Sequence, residues 1–548
     1  MIPRGDAAPS SRPAAVLPNI VLVGMPGSGK SAVGEKVAAW LGWPLLDTDE
    51  MVVHRAGRAI AEIFARDGEA AFRRLERAAV REASRAQRAV IATGGGVVLD
   101  PVNMAALRRR GLIVALTAAP DVLLARLGAD GGGRPLLAPD PRARVQTLLA
   151  ERAPQYAEAD LILDAARPAD LLAQEILAAV AARASDTVTV DLGARSYPVR
   201  IGTGILDLLG WEVRQQLPAT QAVVLTHPRL RRRFGGRVES VLRAAGLEPV
   251  VVTVPEGERA KSLRTASAVY DQMAAAGVDR SAVVVGLGGG VIGDLAGYVA
   301  GTYMRGLGLV HVPTTLLAQV DSAIGGKAAV NHPRAKNLVG VFHQPALVLV
   351  DVETLKTLPP REVRAGLAEV IKYGMVGDAD LLAFTEEKLD GLLRRDLEVL
   401  RHCVRWCTSI KARIVHSDER EEGPRRLLNY GHTVGHAVEI ASAGALTHGE
   451  AIAIGMSVEV RIAQRLNLVS AEVVRRQGTV LQRAGLPTMI LAGAPSDEVM
   501  MEAMRLDKKA RRGEMHFTLL RDAGQGVIDQ PVPEPVVREV LRACRASS

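Results

Sequence analysis

Residues 19–31 read Asn-Ile-Val-Leu-Val-Gly-Met-Pro-Gly-Ser-Gly-Lys-Ser, and a helical pattern follows to about Leu41. The apolar run Asn19 to Val23 is a short strand, and the glycines after it let backbone amides turn inward around phosphate oxygens. Gly27, Ser28, Gly29 and Ala32 frame that cradle, Lys30 adds a mobile positive charge, and Ser31 at the helix start is placed to ligate magnesium. Strand, phosphate loop and helix in this order open an α/β domain that binds a nucleotide. The bland alternative, a decayed loop, has to explain why every fixed position is kept.

A chain of 548 residues exceeds one comfortable hydrophobic core and implies roughly three or four domain-sized units. With 48% hydrophobic and 23% charged residues, and no uninterrupted run of about 18 apolar residues, it reads as a globular chain without a membrane span. Cys403, Cys407 and Cys544 make neither a disulfide framework nor a CxxC motif, so a reducing compartment, the cytoplasm, is expected. Residues 1–18, rich in Pro, Ala, Ser and Arg, lack the apolar core of a signal peptide and read as a disordered extension. The net charge of +8 comes from scattered basic residues, and only 3% of residues are aromatic, which favours small anionic substrates over nucleic acid.

Beyond the loop, Asp47-Thr48-Asp49 follows the expected strand Pro44 to Leu46, putting two carboxylates where open parallel sheets hold ligands. One suits a metal, the other a substrate hydroxyl. Arg73 and Glu76 share a helix face, either as an oriented arginine or as a solvated salt bridge. A second strand, Ala89 to Ala92, ends in Thr93-Gly94-Gly95-Gly96, whose bare backbone admits a small polyol or makes an ordinary tight turn. These motifs, with Arg134-Pro135-Leu136-Leu137 behind a Gly-rich stretch and Arg152-Ala153-Pro154-Gln155-Tyr156, resemble shikimate kinase over about residues 19–182. The resemblance implies ATP and magnesium, with Lys30 and Arg134 catalytic, Asp47 beside Ser31 on the metal side and Arg126 near the adenine. It assigns shikimate to Asp49, Arg73, Gly94, Gly95, Gly96 and Arg152. Bidentate arginines suit a carboxylate substrate, and phosphoryl transfer needs mainly positioning and charge neutralisation.

The helical tail Ala169 to Ala184 gives way to the alternating Thr187-Val188-Thr189-Val190, so a boundary is set near Ser185, and the separate folds are expected to insulate the second reaction from a lesion in the first. Strand-like runs at Ala222 to Leu225, Val250 to Val254, Ala282 to Gly286 and Leu309 to Val312 alternate with helical stretches, as in a second parallel α/β sheet. The third runs into a GxGxxG pattern at Gly288, Gly290 and Gly293, a candidate pyrophosphate cradle. No acid lies between Asp294 and Asp321 to take a ribose, but residues 255–261, Pro-Glu-Gly-Glu-Arg-Ala-Lys, offer one from another loop. Glu369 and Lys372 sit three apart on a helix, where a surface ion pair is the plain reading. His432 and His436, four apart, face one side of a helix as a metal site or a hydrogen-bonded pair, and His448 follows after a turn.

PEGERAK at 255–261, GGGVIGD at 288–294, PTTLLAQVD at 313–321, GGKAAVN at 325–331, LAEVIK at 367–372, DEREEG at 418–423, RLLNYGHTVGHAVE at 426–439 and HGEA at 448–451 together resemble 3-dehydroquinate synthase, across 188 to about 543. The resemblance implies an NAD-binding αβ half at 188–355, a mainly helical metal-binding half at 356–548, and a site between them. It assigns Zn2+ or Co2+ to Glu369, His432 and His448, leaving His436 for substrate and proton transfer. NAD is assigned to Glu256, Gly257, Glu258, Arg259, Ala260, Lys261, Gly290, Val291, Ile292, Gly293, Asp294, Thr314, Thr315, Lys327, Lys336, Thr354, Leu355, Lys356 and Thr357. The heptulosonate phosphate is assigned to Asp321, Asn337, Arg425, Asn429 and the catalytic group Lys327, Lys372, Lys411 and His436, with Arg305 reaching across a homodimer. One lysine of Asp507-Lys508-Lys509 is expected at the phosphate, and Ala323 after Ser322 departs from the two serines frequent in the family. The implied reaction converts 3-deoxy-D-arabino-heptulosonate 7-phosphate to 3-dehydroquinate and phosphate, with NAD recycled. Two alternatives are a zinc- and NAD-dependent polyol dehydrogenase and, for the first unit, a regulatory nucleotide switch; the lysine and arginine cluster and the Gly-rich acceptor pocket speak against them.

Overall fold

The computed structural model describes residues 17–127, 140–333, 335–442, 444–491, 496–506, 510–511 and 514–546. Arg134, Lys508 and Lys509 fall outside them, as do residues 1–16. Leu17, grouped above with the extension, is instead buried in the apolar core.

The first unit runs β1 (Asn19–Gly24), α1 (Lys30–Leu41), β2 (Leu45–Asp47), α2 (Thr48–Ala56), α3 (Ile60–Ala83), β3 (Val90–Ala92), α4 (Pro101–Arg108), β4 (Gly111–Thr117), α5 (Pro120–Leu127), α6 (Pro141–Ala157), β5 (Leu161–Asp164) and α7 (Ala169–Ala184). Its strands are parallel in the order β2-β3-β1-β4-β5. Every residue of the central β1 is buried, which is why that strand reads as a continuous apolar run rather than an alternation.

Helix α7 passes directly into β6 (Ser185–Val190), which pairs antiparallel with β7 (Tyr197–Gly202). There follow α8 (Leu209–Gln216), β8 (Gln221–Thr226), α9 (Pro228–Leu230), α10 (Gly236–Ala244), β9 (Glu248–Thr253), α11 (Leu263–Ala275), β10 (Val283–Gly288), α12 (Gly290–Thr302), β11 (Gly308–Pro313), the hairpin β12 (Lys327–His332) and β13 (Ala335–Phe342), and β14 (Leu347–Asp351). Seven of these strands form one sheet, β6-β7-β14-β11-β10-β8-β9, parallel except at β6; the hairpin stands apart from it. The C-terminal part is helical: α13 (Pro360–Gly377), α14 (Ala379–Arg394), α15 (Leu397–Ser417), α16 (His432–Ala441), α17 (His448–Arg465), α18 (Ala471–Arg483), α19 (Asp497–Leu506) and α20 (Glu534–Ala543). A small antiparallel sheet, β15 (Ala510–Arg511), β16 (Glu514–Asp522) and β17 (Gln525–Val532), lies before α20. No helix among the described residues is long and apolar enough to cross a membrane.

The first two units share a core. One continuous cluster of buried side chains joins Val37, Leu41, Ile176 and Val180 of the first unit to Leu206, Leu209, Trp211 and Val241 of the second. Trp43 Nε1 donates to Asp207 Oδ2 at 2.9 Å and Trp211 Nε1 to Gln174 Oε1 at 2.7 Å, so each indole N–H is satisfied across the junction. Arg88 extends the contact to Asp207, at 3.6 Å, and to Glu353. Truncating the fully buried Leu206, whose turn contacts α1 and α7, should cost about 2–5 kcal/mol and lower the melting of both units together. Scanning calorimetry that left the transition of the first unit in place would contradict a shared core.

His311, on β11 beneath the Gly-rich turn, is lowered to about 4 by burial and, secondarily, by His343. The unfolded chain therefore binds a proton here between about pH 6.5 and 4 that the folded chain refuses, so this contribution to stability is present above that window and is lost as pH falls through it. Denaturant titrations of His311→Asn should show a shallower loss of stability across the same window.

Candidate active sites

In the first unit Lys30 Nζ donates to the carbonyls of Gly24 and Met25, at 3.0 Å each, which folds its charge over the phosphate loop. Ser31 Oγ lies 3.1 Å from Asp47 Oδ2, so the two groups read as magnesium ligands meet at the start of α1. Opposite them, Arg73 Nη1 pairs at 2.8 Å with Glu76, which is buried; burial raises the carboxyl of Glu76 and Arg73 opposes that. This is no solvated salt bridge, since it fixes Arg73 against Gly96, where a Cβ would collide with the guanidinium. Arg152 is buried, and its Nη1 would lie 3.2 Å from a Cβ at Gly95. Asp49, Arg152 and Arg73 thus converge on the successive glycines Gly94, Gly95 and Gly96, and Arg126 Nη1 would lie 3.7 Å from a Cβ at Gly29.

In the remainder of the chain, a cavity of about 1000 Å³ opens at the C-terminal ends of β8, β9, β10 and β11, where a parallel sheet presents loops and helix N-termini. Glu256, Gly257, Glu258, Lys261, Gly290, Val291, Ile292, Asp294, Thr314, Thr315, Lys336, Thr354 and Thr357 line it. A Cβ at Gly289 would lie 2.9 Å from Thr315 and one at Gly290 3.0 Å from Ser322 Oγ, so side chains there would fill the approach to the N-terminus of α12. That bare backbone, with Glu256 and Glu258 to take ribose hydroxyls, fits a dinucleotide. Six assigned residues lie off the wall, Lys327 among them, which pairs with Glu421 instead. Ala260 and Leu355 point into the core, Lys356 pairs with Glu353 at 3.2 Å, Arg259 Nε donates to Glu256 O at 3.2 Å, and Gly293 packs towards His311. In a 3-10 turn only some positions face one side, so a run of four residues cannot all be lining.

The far wall holds the histidines. Glu369 on α13 has no exposed surface, and among the described residues neither of its oxygens has a well-aligned hydrogen-bond donor, although Lys372 Nζ lies 2.5 Å from Oε2. His432, first residue of α16, and His448, first residue of α17, bring Nε2 to 3.7 and 3.4 Å from Glu369 Oε1. The Nδ1 of each ring faces an acceptor, Tyr430 O at 3.1 Å and Glu439 Oε2 at 3.2 Å, which leaves each Nε2 lone pair for a metal. Two imidazoles and a buried carboxylate fit Zn2+ or Co2+ with open positions for substrate oxygens. His436 lies on the same wall with its ring 5.2 Å from that of His432.

Behind Asp321 the cations gather. Burial works to raise the Asp321 carboxyl, but Lys411 and Lys372 outweigh it and hold it below the usual carboxylate range, and Tyr373 Oη donates to it at 2.8 Å. Arg425 is buried, donating to Gly325 O at 2.9 Å; Lys327 pairs with Glu421, which also accepts from Asn429 at 2.6 Å. Asn337 lines the cavity, whereas Arg305 sits at an exposed turn away from it.

Family models of the N-terminal and C-terminal parts of 3-dehydroquinate synthase match residues 251–365 and 366–510, and the shikimate kinase model matches 26–181. The 3-dehydroquinate synthase of Pelotomaculum thermopropionicum is 46% identical over 360 residues, 65% of this chain and 96% of its own. The chain belongs to the 3-dehydroquinate synthase family. It carries a shikimate kinase domain ahead of the synthase. Among solved structures, a 2-deoxy-scyllo-inosose synthase complexed with carbaglucose-6-phosphate, NAD+ and Co2+ is 28% identical with a TM-score of 0.60, covering 66% of this chain and 100% of that one. The 2-epi-5-epi-valiolone synthase of Streptomyces hygroscopicus, with NAD+ and Zn2+ bound, is likewise 28% identical with a TM-score of 0.60, covering 65% and 98%.

Sequence reasoning missed His227, Arg229, Arg233 and Phe234, which line the synthase cavity just after β8. Their signal was positional, because β8 borders β10 and must end at the same sheet edge. Glu439 was also missed, although it stands three residues past His436 on the face that carries both helix histidines. Replacing His448 by Ala should strip metal from the purified protein, while His436→Ala should keep the metal and lower turnover by about 10²-fold or more. Elemental analysis after dialysis, beside a synthase assay, distinguishes the two; equal metal loss in both would reassign His436 as a ligand.

Proposed function

We propose that the chain is a bifunctional enzyme of aromatic biosynthesis: its first unit phosphorylates shikimate with ATP, and the remainder converts 3-deoxy-D-arabino-heptulosonate 7-phosphate to 3-dehydroquinate and phosphate. The observation that carries the synthase reading is the fully buried carboxylate of Glu369, whose Oε1 faces two histidine Nε2 atoms beside a cavity whose other wall is a Gly-rich cradle. For the kinase it is the pairing of Ser31 with Asp47 beside the phosphate loop, opposite the arginines that converge on Gly95 and Gly96.

In the kinase reading, Arg73 and Arg152 hold the shikimate carboxylate, Asp49 and the bare backbone at Gly94 to Gly96 hold its hydroxyls, and Lys30 with Arg134 neutralises the transferring phosphate. In the synthase reading, bound NAD supplies a hydride acceptor and donor, and the divalent cation supplies Lewis acidity. The cavity residues from Glu256 to Thr357 hold the cofactor. Lys327, Lys372, Lys411, Arg425 and Asn429 bind the carboxylate, hydroxyls and phosphate of the sugar acid, and Asp321 keeps Lys411 in place. The imidazole of His436 carries a proton to or from the substrate. Arg305 follows Met304 in left-handed backbone, with φ of 70° and 47°, and we read this exposed turn as reaching a second copy in a homodimer. The three free, buried thiols fit a reducing cytoplasm.

Lys30→Ala should lower shikimate phosphorylation by about 10²-fold or more while synthase turnover persists; undiminished ATP-dependent phosphorylation would remove the kinase assignment. For the synthase, phosphate and 3-dehydroquinate should accumulate over many turnovers on catalytic NAD with no lasting NADH absorbance. Deuterium at the carbon being oxidised should reappear there in the product. One NADH released per turnover would instead mark a dehydrogenase.

A further inference from the structure

One carboxylate links the cofactor side of the synthase cavity to its histidine wall. Glu439 Oε2 lies 3.2 Å from His448 Nδ1, and Glu439 Oε1 accepts from Lys336 Nζ at 2.9 Å. Lys336 belongs to β13, in the hairpin on the cofactor side, whereas Glu439 and His448 belong to α16 and α17. An imidazole that gives its Nδ1–H to a carboxylate is fixed in one tautomer and cannot swing, and the lone pair on its Nε2 then has a set direction. Here that direction is Glu369, whose Oε1 lies 3.4 Å from His448 Nε2. The same carboxylate restrains a long lysine side chain on the opposite wall, so ordering at either end is felt at the other.

We propose that Glu439 is a positioning residue of the synthase: it aims His448 at the divalent cation and, through Lys336, makes cation binding and NAD binding favour each other. This inference rests on the synthase reading above. Coupling of this kind is reciprocal, so the factor by which the cation tightens NAD equals the factor by which NAD tightens the cation.

The test uses the full chain. Zn2+ is titrated against a chromogenic chelator with and without NAD, and NAD is titrated calorimetrically with and without Zn2+. Glu439→Gln keeps the size of the side chain but not its charge; its affinity for Zn2+ should fall about 10–100-fold, and the mutual enhancement should vanish. Lys336→Met should retain the affinity for Zn2+ alone and lose the enhancement. Wild-type Zn2+ affinity in Glu439→Gln, or no enhancement in the wild type, overturns the proposal. His436, Glu439 and His448 also bring donor atoms within 4.8 Å of one another, so Glu439 itself has the reach of a ligand. The visible spectrum of the Co2+-loaded protein decides this point: a changed ligand number in Glu439→Gln overturns positioning, and an unchanged one supports it. His448→Ala separates two kinds of failure. If that variant retains metal, the synthase reading fails; if it loses metal while Glu439→Gln does not, only the role of Glu439 fails. Shikimate phosphorylation in every variant reports whether the fold is intact.

Discussion

A carboxylate without any exposed surface is tolerated only if charge is brought to it, and the helical part is arranged around that demand at Glu369. Lys372, one turn further along α13, supplies the first counter-charge. The histidines come from two other helices, and those helices approach closely enough only because side chains are missing at the contact. A Cβ at Gly449 would collide with the backbone of Ala365 on α13. The N-terminus of α16 is held in turn by Glu459, whose carboxylate accepts from the amides of Gly431 at 2.6 Å and Val434 at 3.2 Å. Both histidines that face Glu369 therefore sit at the first residue of a helix whose position is fixed by backbone contact or by a buried cap.

The second constraint is the shared core between kinase and synthase. The segment after β14 shows how tightly the units are joined. Asp351 accepts from the amides of Gly204 and Leu206, in the turn that packs on α1 and α7, while Thr354 and Thr357 line the cofactor cavity. Between them Glu353 meets Arg88 of the kinase. A short stretch of chain thus bears on the interface at one end and on the synthase site at the other.

Much of this was legible in the sequence, for physical reasons. The P-loop and the Gly-rich turn at 288–294 are local devices, in which each residue acts on the backbone beside it, so spacing alone carries their meaning. The set Glu369, His432 and His448 was not legible from spacing, because Glu369 lies far along the chain from both histidines; HxxxH spacing alone points to His432 with His436, and the family resemblance is what assigns Glu369, His432 and His448. Leu355, Lys356, Arg259 and Ala260 were assigned as contiguous runs, yet a turn shows only some of its positions to a cavity. The shared core was hidden because the apolar face of α7 looks the same whether it covers its own sheet or a neighbour. The small sheet β15–β17 had no alternation strong enough to announce it.

The absence of any linker between α7 and β6 also bears on how a cell uses the two activities. Their copy numbers are locked at one to one, and a protease that clears one clears the other. Because the synthase makes 3-dehydroquinate and the kinase takes shikimate, the fusion cannot serve to hand a product from one site to the next. What it fixes is the ratio of the two catalytic capacities, which leaves adjustment of flux between them to occupancy of the sites rather than to the amount of protein made.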